Sequence, residues 1–291
     1  MIARFLPYLV LLRPVHWVKN FFVVAPLLFA RQLSVPLAIE ASKAFALFCL
    51  AASAVYVLND ILDRKTDLAH DVKRHRPIAN GSIRVRTAGA IALGLSVAAL
   101  LGAAALGTPM LIVISAYLLL NIAYSAILKH VVIIDLFAIA ASYVLRIIGG
   151  TIVIHEHITA WTVMLGTLLA LFLAIGKRRS ERVALAERAR DHRPILEEYN
   201  PYFLDQLAAV ITPSIMMTWI LYTLDAGVSS RLQTAWMPLT VPFVAYGIFR
   251  YLFLVHRKRG GESPTRTLLT DRPLLLTVGL WCASILFIRS L

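Results

Sequence analysis

The feature that most constrains the fold is a series of nine long apolar runs separated by polar segments. Each run has about the 17–25 residues that an α-helix needs to cross the hydrocarbon core of a bilayer. With 59% hydrophobic and only 15% charged residues, the chain is far more apolar than a soluble domain. The sequence therefore predicts an all-α integral membrane protein, a bundle of nine transmembrane helices. The runs lie near residues 17–35, 41–58, 88–106, 109–127, 132–153, 160–176, 207–225, 235–254 and 273–289.

No linker or change of composition divides the chain, so we expect residues 1–291 to form a single polytopic membrane domain. Two longer polar segments, 59–87 and 177–206, follow the second and sixth runs. This spacing is that of a weak duplication of four helices, which predicts two related half-sites. We expect both segments to be loops that cap the bundle, the second with short amphipathic helices.

The basic residues predict the orientation in the membrane. All but five of the 29 lysines and arginines lie in the N-terminal segment and in every second polar segment, which places that side in the cytoplasm. The N-terminus and the Asp-rich segment 59–87 are then cytoplasmic. With nine spans the C-terminus lies on the opposite side of the plasma (inner) membrane. The five exceptions are Arg31, Lys43, Arg146, Arg231 and Arg289.

A net charge of +13 fits this topology and attraction to anionic membrane lipids, and it also suits an anionic substrate. Nucleic acid is not expected as a partner, because the charges lie at span ends and no nucleic-acid-binding motif is present. The oligomeric state stays open, a homo-oligomer included, because lipid-facing and subunit-facing helices are both apolar.

Three carboxylates directly follow the second apolar run in the pattern N-D-x-x-D-x-x-x-D, at Asn59, Asp60, Asp63 and Asp67. On a helix, offsets of three, four and seven residues share one face. Carboxylates so close repel one another unless a cation lies between them, and hard oxygen ligands suit Mg²⁺ carrying a phosphate. The pattern predicts a magnesium site formed by the three aspartates. Asn59 is interpreted either as the N-cap of the next helix, or as a ligand or a residue that supports the ligands.

Cationic side chains accompany the carboxylates. Lys73 and Arg76 follow the aspartates, as a magnesium diphosphate requires: acids hold the metal and bases hold the remaining oxygens. The alternative is a solvated loop held by ion pairs, which the strict spacing at a span end disfavours. Lys177, Arg178 and Arg179 begin the corresponding segment of the second half. They are either a positive-inside flank or a second phosphate-binding locus.

Further candidates lie inside spans or at their ends. A charge within a span costs at least about 2–3 kcal/mol unless it is paired or hydrated. Asp135 and Arg146 are eleven residues apart, close to three helical turns, so we expect both to face a cavity or a partner helix. Tyr124 and Lys129 at the end of the fourth run, and Lys19 at the start of the first, are interfacial anchors or substrate contacts.

The motif at 59–67, with R-P-I-A-N-G at 76–81 in a chain of nine apolar runs, resembles the UbiA-type membrane prenyltransferase superfamily over nearly the whole length. The resemblance implies that the first Asp motif binds Mg²⁺ and a diphosphate, and that a second Asp-rich motif follows the sixth span. This chain has Lys177, Arg178, Arg179 and Glu181 there instead. The exchange of acids for cations is similar to the decaprenyl-phosphate phosphoribosyltransferase subgroup, as are the segments 13–20 and 124–130.

That subgroup implies transfer of 5-phosphoribose from 5-phosphoribosyl diphosphate to a polyprenyl (decaprenyl) phosphate, for cell-envelope arabinan precursors. The acceptor phosphate is anionic at pH 7, so no general base is required. The resemblance carries roles over directly to Asn59, Asp60, Asp63 and Asp67, and then to Arg76. From the residues themselves we expect metal binding by Asp60, Asp63 and Asp67, and diphosphate binding by Lys73, Arg76 and Lys129. We expect Lys177, Arg178 or Arg179 to bind the 5-phosphate, and Asp135 and Arg146 to supply charge in the cavity.

The alternatives to this function are prenyl transfer and transport. Prenyl transfer from a polyprenyl diphosphate to an aromatic acceptor such as 4-hydroxybenzoate differs in that the lipid, and not the sugar, carries the diphosphate. A non-catalytic lipid or ion transporter would show Gly/Pro-interrupted helices in matched halves. The sequence shows no convincing pair of this kind. We therefore expect a magnesium-dependent membrane transferase.

Overall fold

The computed structural model of the protein describes residues 2–69, 73–186, 198–257 and 270–290. Regular structure in these ranges is entirely helical, which suits a bilayer because a helix pairs its backbone groups internally. The α-helices are α1 (Ile2–Leu12), α2 (Phe21–Val24), α3 (Val35–Leu62), α4 (Arg64–Leu68), α5 (Val85–Ala105), α6 (Thr108–Ala126), α7 (Ile134–Val153), α8 (Ala160–Ala186), α9 (Pro201–Leu224), α10 (Ala226–Leu232), α11 (Val241–Arg257) and α12 (Arg272–Ser290).

Eight helices within the described ranges are long and apolar enough to cross a membrane: α3, α5, α6, α7, α8, α9, α11 and α12. They match the second to ninth predicted runs in order. The all-helical membrane fold predicted from the sequence is confirmed.

The first predicted run, 17–35, differs because it is not one continuous helix. The chain forms a 3₁₀ turn at Pro14–Asn20, the single α-helical turn α2, and a second 3₁₀ turn at Ala25–Phe29. A proline lacks the N–H that would bond one turn back, so Pro26 interrupts the helical hydrogen bonds. Arg13, in the left-handed region at φ 53°, turns the chain as it enters the segment. We call residues 14–29 the broken segment.

The described residues form two compact units. Unit 1 contains residues 1–25, 34–138 and 145–157, and unit 2 contains residues 26–33, 139–144 and 158–291. One apolar cluster of unit 1 is made by Leu11, Val57, Ile78, Ile83, Ala88 and Ala92. A cluster of unit 2 is rich in aromatic rings and contains Trp219, Tyr222, Met237 and Ile285, with Phe29, Trp161 and Trp281 packed against it.

Within unit 1, polar contacts hold the first part of the broken segment against α3 and α7. The Trp17 indole donates to the Ser53 hydroxyl at 3.0 Å, and Arg146 Nε donates to the Asn20 side chain at 2.7 Å. A Cβ added to Gly150 would lie 1.9 Å from the carbonyl oxygen of Val23, so only glycine allows this approach. The position of the broken segment therefore depends on particular residues of its neighbours.

The helices extend further into the predicted cap loops than expected. α3 ends at Leu62 and so carries Asn59 and Asp60, while α8 continues to Ala186 and carries the Lys177–Arg179 cations. Glu181 bonds Arg178 at 2.6 Å and lies 3.6 Å from Lys177, and such pairs one turn apart favour a helix. The amphipathic helices expected further along fall largely on residues 187–197, which lie outside the described residues.

Candidate functional site

The first motif forms one acidic cluster in unit 1, at the junction of α3 and α4. Asp60 lies in the last turn of α3, is only 2% exposed, and accepts hydrogen bonds at Oδ1 from two guanidinium groups. Arg13 Nη2 lies at 2.5 Å and Arg76 Nη1 at 3.0 Å. Two positive charges therefore compensate one carboxylate that has almost no contact with solvent.

Arg76 joins this carboxylate to the next. The same Nη1 atom that bonds Asp60 also donates to Asp67 Oδ2 in α4, at 2.7 Å. Asp67 is likewise buried. One cationic nitrogen therefore lies between oxygens of two aspartates, as expected for carboxylates brought together on neighbouring turns.

Asp63 lies at the end of α3 and has separate partners. Its Oδ1 accepts from Lys129 Nζ at 2.6 Å, and its Oδ2 accepts from the Asn59 amide at 3.0 Å. The capping interpretation of Asn59 is wrong, because α3 continues past it and Asp63 occupies the N-cap position of α4. Asn59 instead orients the carboxylate of Asp63.

In this cluster the three carboxylates form ion pairs with three cations, Arg13, Arg76 and Lys129. Among the described residues no group of three or more acidic, His or Cys side chains is arranged to hold a metal ion. The donor chemistry nevertheless fits Mg²⁺, because the side chains offer hard oxygens and two of them already share a cation. For both of these carboxylates to bind a metal, the Arg76 guanidinium would have to move aside.

Arg13 is a site residue that the sequence motifs do not predict. It precedes the acidic motif by more than forty residues, and only the fold brings it to Asp60. Burial lowers the pKa of the Arg13 guanidinium, and Asp60 opposes this effect. Arginine titrates far above neutral pH, so the group keeps its charge. In the sequence, Arg13 is marked only by its position: it is a cation that directly precedes Pro14, at the start of the broken segment.

A basic cluster, formed by Lys177, Arg178 and Arg179, lies in unit 2 in the C-terminal part of α8. Arg178 is fully buried and bonds Glu181, which Lys177 also approaches. In Arg179, Nε donates to Asp205 Oδ1 at 2.5 Å, and Nη1 donates to the Val255 carbonyl at 3.2 Å. Arg179 therefore ties α8 to α9 and α11.

The remaining predicted residues lie in unit 1. Arg146 is buried, and besides Asn20 its guanidinium bonds the Tyr117 hydroxyl at 2.8 Å. Asp135 is fully buried in the first turn of α7. Three others are partly buried: Lys19 in the first 3₁₀ turn, Lys73 in a 3₁₀ turn just before Arg76, and Tyr124 near the end of α6.

Comparison with known proteins gives concordant results. The model of the UbiA prenyltransferase family matches residues 20–270. The chain is 32% identical over 282 residues to the decaprenyl-phosphate phosphoribosyltransferase of Mycobacterium tuberculosis, covering 94% of this chain and 91% of that protein. The protein of the same name from Corynebacterium glutamicum is 30% identical over 276 residues, covering 93% and 82%.

Among solved structures, a UbiA homologue from Archaeoglobus fulgidus bound to DMAPP and Mg²⁺ has the same fold, with a TM-score of 0.73. The two chains are 18% identical and the match covers 98% of this chain and 99% of the other. With the eight apolar helices, these matches confirm an integral membrane enzyme of the transferase class. The chain belongs to the UbiA prenyltransferase family.

Proposed function

We propose that the protein transfers 5-phosphoribose from 5-phosphoribosyl diphosphate to a polyprenyl phosphate, with Mg²⁺ and at the cytoplasmic face. The bond between the anomeric carbon of the ribose and the diphosphate breaks, and a new bond forms to a phosphate oxygen of the lipid. Diphosphate is released. The product would serve as a precursor of arabinose-containing envelope glycans.

The observation that carries the proposal is the charge of the two clusters. Three carboxylates follow the second apolar run, at Asp60, Asp63 and Asp67, whereas Lys177, Arg178 and Arg179 follow the sixth. A phosphoribosyl donor has one diphosphate and one separate phosphate, which suits one acidic metal-binding cluster and one basic cluster. The curated relatives, which match more than nine-tenths of the chain, carry the name of this activity.

The acidic cluster would supply the ligands of the metal. Asp60, Asp63 and Asp67 would hold magnesium, which when bound neutralises negative charge on the diphosphate and favours its departure. Arg13, Arg76 and Lys129, released from the carboxylates, would donate to diphosphate oxygens. Their charges stabilise the leaving group as the anomeric carbon becomes cationic.

The three cations of the basic cluster differ in the contacts that the structure gives them. Arg179 directs its donors to Asp205 and to the backbone carbonyl of Val255, so we assign it the task of positioning the helices. Lys177 and Arg178 both approach Glu181, and we assign the 5-phosphate to these two. Lys19, Lys73, Tyr124, Asp135 and Arg146 stay candidates for substrate contacts or for supporting them.

The test uses purified protein with Mg²⁺, a polyprenyl phosphate and radiolabelled 5-phosphoribosyl diphosphate, scored by label in the lipid phase. We expect transfer by the wild type and a loss of at least about a hundredfold in Asp63→Asn, since one metal ligand and the partner of Lys129 are removed. The control is Glu40→Gln on the same helix, where the carboxylate accepts from Lys43 at 2.7 Å, one turn along the same helix. Prenylation of an aromatic acid from polyprenyl diphosphate, without label transfer, would contradict the proposal.

A further inference from the structure

From the packing of α8 against α11, we propose that the hydroxyl of Tyr251 is a further substrate-binding group, a hydrogen-bond donor to a phosphate oxygen. The inference rests on the function proposed above and adds a residue that neither the sequence motifs nor the acidic cluster contains. Tyr251 lies in α11, in unit 2, and is only 3% exposed.

The Tyr251 hydroxyl has no hydrogen-bond partner among the residues that the structure describes. A buried polar atom left without a partner is costly, and the great majority of such atoms in proteins are bonded to protein or water. Tyrosine in an apolar interior commonly bonds through its hydroxyl, and phenylalanine would fill the same space without the cost. A hydrogen-bond acceptor that arrives with the substrate would explain why a tyrosine, and not a phenylalanine, occupies this position.

The ring is placed next to the basic cluster. A Cβ added to Gly176 would lie 2.6 Å from the Tyr251 hydroxyl oxygen and 2.9 Å from the ring edge, so only glycine leaves room for the tyrosine there. The Phe172 ring, one turn earlier on α8, packs against the tyrosine ring with centroids 5.0 Å apart. Gly176 directly precedes Lys177. The hydroxyl therefore lies against the turn at which the cations begin.

A second contact fixes the two helices at this level. Arg179 donates to the carbonyl of Val255, which follows Tyr251 by one turn on α11. Asp205 of α9 holds the same guanidinium. The position of the Tyr251 hydroxyl relative to the start of the cation cluster is therefore set by a bonded framework of three helices.

The chemistry favours a phosphate as the ligand. A phenol donates one strong hydrogen bond, and phosphate oxygens next to cations are strong acceptors. Both substrates carry such a phosphate: the donor has the 5-phosphate of 5-phosphoribosyl diphosphate, and the acceptor has the phosphate of the polyprenyl lipid.

The experiment compares wild type with Tyr251→Phe in transfer kinetics, varying each substrate in turn, and in thermal unfolding in detergent. We expect KM to rise about tenfold for the substrate that carries the bound phosphate, since a hydrogen bond to a charged group is lost. A rise for the sugar donor alone identifies the 5-phosphate, and a rise for the lipid alone identifies its phosphate. Without ligand, the unfolding midpoint of Tyr251→Phe should equal or exceed that of the wild type.

Tyr246→Phe is the matched control, because that tyrosine lies on the same helix with an exposed side chain; its kinetics should equal those of the wild type. Gly176→Ala should raise the same KM as Tyr251→Phe, by displacing the ring. A midpoint lowered by several degrees in Tyr251→Phe would indicate a bond within the protein and overturn the inference. Unchanged KM values for both substrates would also overturn it.

Failure of the proposed function has a different signature. If the wild type transfers no phosphoribose, that function is wrong, and the hydroxyl is tested by the rise in unfolding midpoint on adding inorganic phosphate or polyprenyl phosphate. A rise that is smaller in Tyr251→Phe supports a phosphate site at the hydroxyl. An equal rise in both proteins, or none in either, overturns it.

Discussion

Among single residues, Arg76 has the central place in the acidic cluster, since one of its nitrogens bonds both Asp60 and Asp67. The two carboxylates are buried, so they cannot exchange this partner for bulk water without a rearrangement. An arginine at this position both permits the aspartates to be close and, in the proposed reaction, binds the leaving group.

We expect Arg76→Ala to lower the free energy of unfolding by at least about 1–3 kcal/mol, the cost of leaving a buried acceptor without its partner, which is larger for a charged group. Transfer activity should fall at least tenfold in addition. The control is Arg74→Ala, in the 3₁₀ turn that immediately precedes Arg76 and with an exposed side chain. Unfolding midpoints and label transfer check both effects, and equal values for the two variants would contradict this role of Arg76.

Much of the acidic cluster could be predicted from the sequence, because the offsets within 59–67 fix which side chains share a helix face. The contact of Lys129 with Asp63 bridges a large sequence separation, yet a lysine at a span end was already a candidate. Arg13 could not be predicted in the same way. Its contact with Asp60 depends on the left-handed turn and on the path of the broken segment, which no local pattern encodes.

Among the elements, α7 shows how a broken segment can be held within a membrane protein. On its face toward residues 20–23, Arg146 bonds the Asn20 side chain, and one turn later Gly150 admits the backbone of Val23. The polar contact and the close approach lie one helical turn apart, so they act on the same short stretch of chain.

Gly150→Ala should therefore separate α7 from the broken segment. A Cβ 1.9 Å from a backbone oxygen cannot be accommodated by a side-chain rotation, so we expect a loss of at least about 1–3 kcal/mol of stability. Gly94→Ala in α5 is the matched control: no atom lies within 4 Å of its added Cβ, and alanine favours a helix by about 1 kcal/mol. Thermal unfolding of both variants checks this. A Gly150→Ala protein as stable as Gly94→Ala would contradict the packing.

The positions of the long helices could be predicted from apolar runs alone, whereas two details could not. The run 17–35 is apolar enough for a span, and its interruption depends on Pro26 and on partners far along the chain. The end of the sixth run at 176 marks the end of the apolar residues, not of the helix. Lys, Arg, Glu and Ala are good helix formers, so α8 continues beyond it.

At the scale of the whole molecule, the basic residues predict which end of each membrane-spanning helix lies in the cytoplasm. Seven of the eight long helices lie between Ser82 and Ser290, so the two serines lie on opposite sides if each of these helices crosses the membrane. Both serines are exposed.

Single cysteines at these positions test the orientation with a membrane-impermeant maleimide. In a background of Cys49→Ser and Cys282→Ser, where serine at 49 keeps an acceptor for the Asn20 amide, we expect Ser290→Cys to react in right-side-out vesicles. Ser82→Cys should react only in inside-out vesicles. Reaction of both cysteines from one side would contradict the predicted orientation.

The ion pairs of the acidic cluster have a consequence for the proposed reaction, because Arg76 and the metal would compete for the same carboxylates. A metal ion entering alone would have to displace Arg76 from Asp60 and Asp67 and leave that guanidinium without these counter-ions. A diphosphate entering alone would draw the cations away and leave the carboxylates without theirs. Entering together, each would satisfy the groups that the other releases. We therefore expect metal and diphosphate to bind with positive cooperativity, each raising the affinity for the other by the same factor.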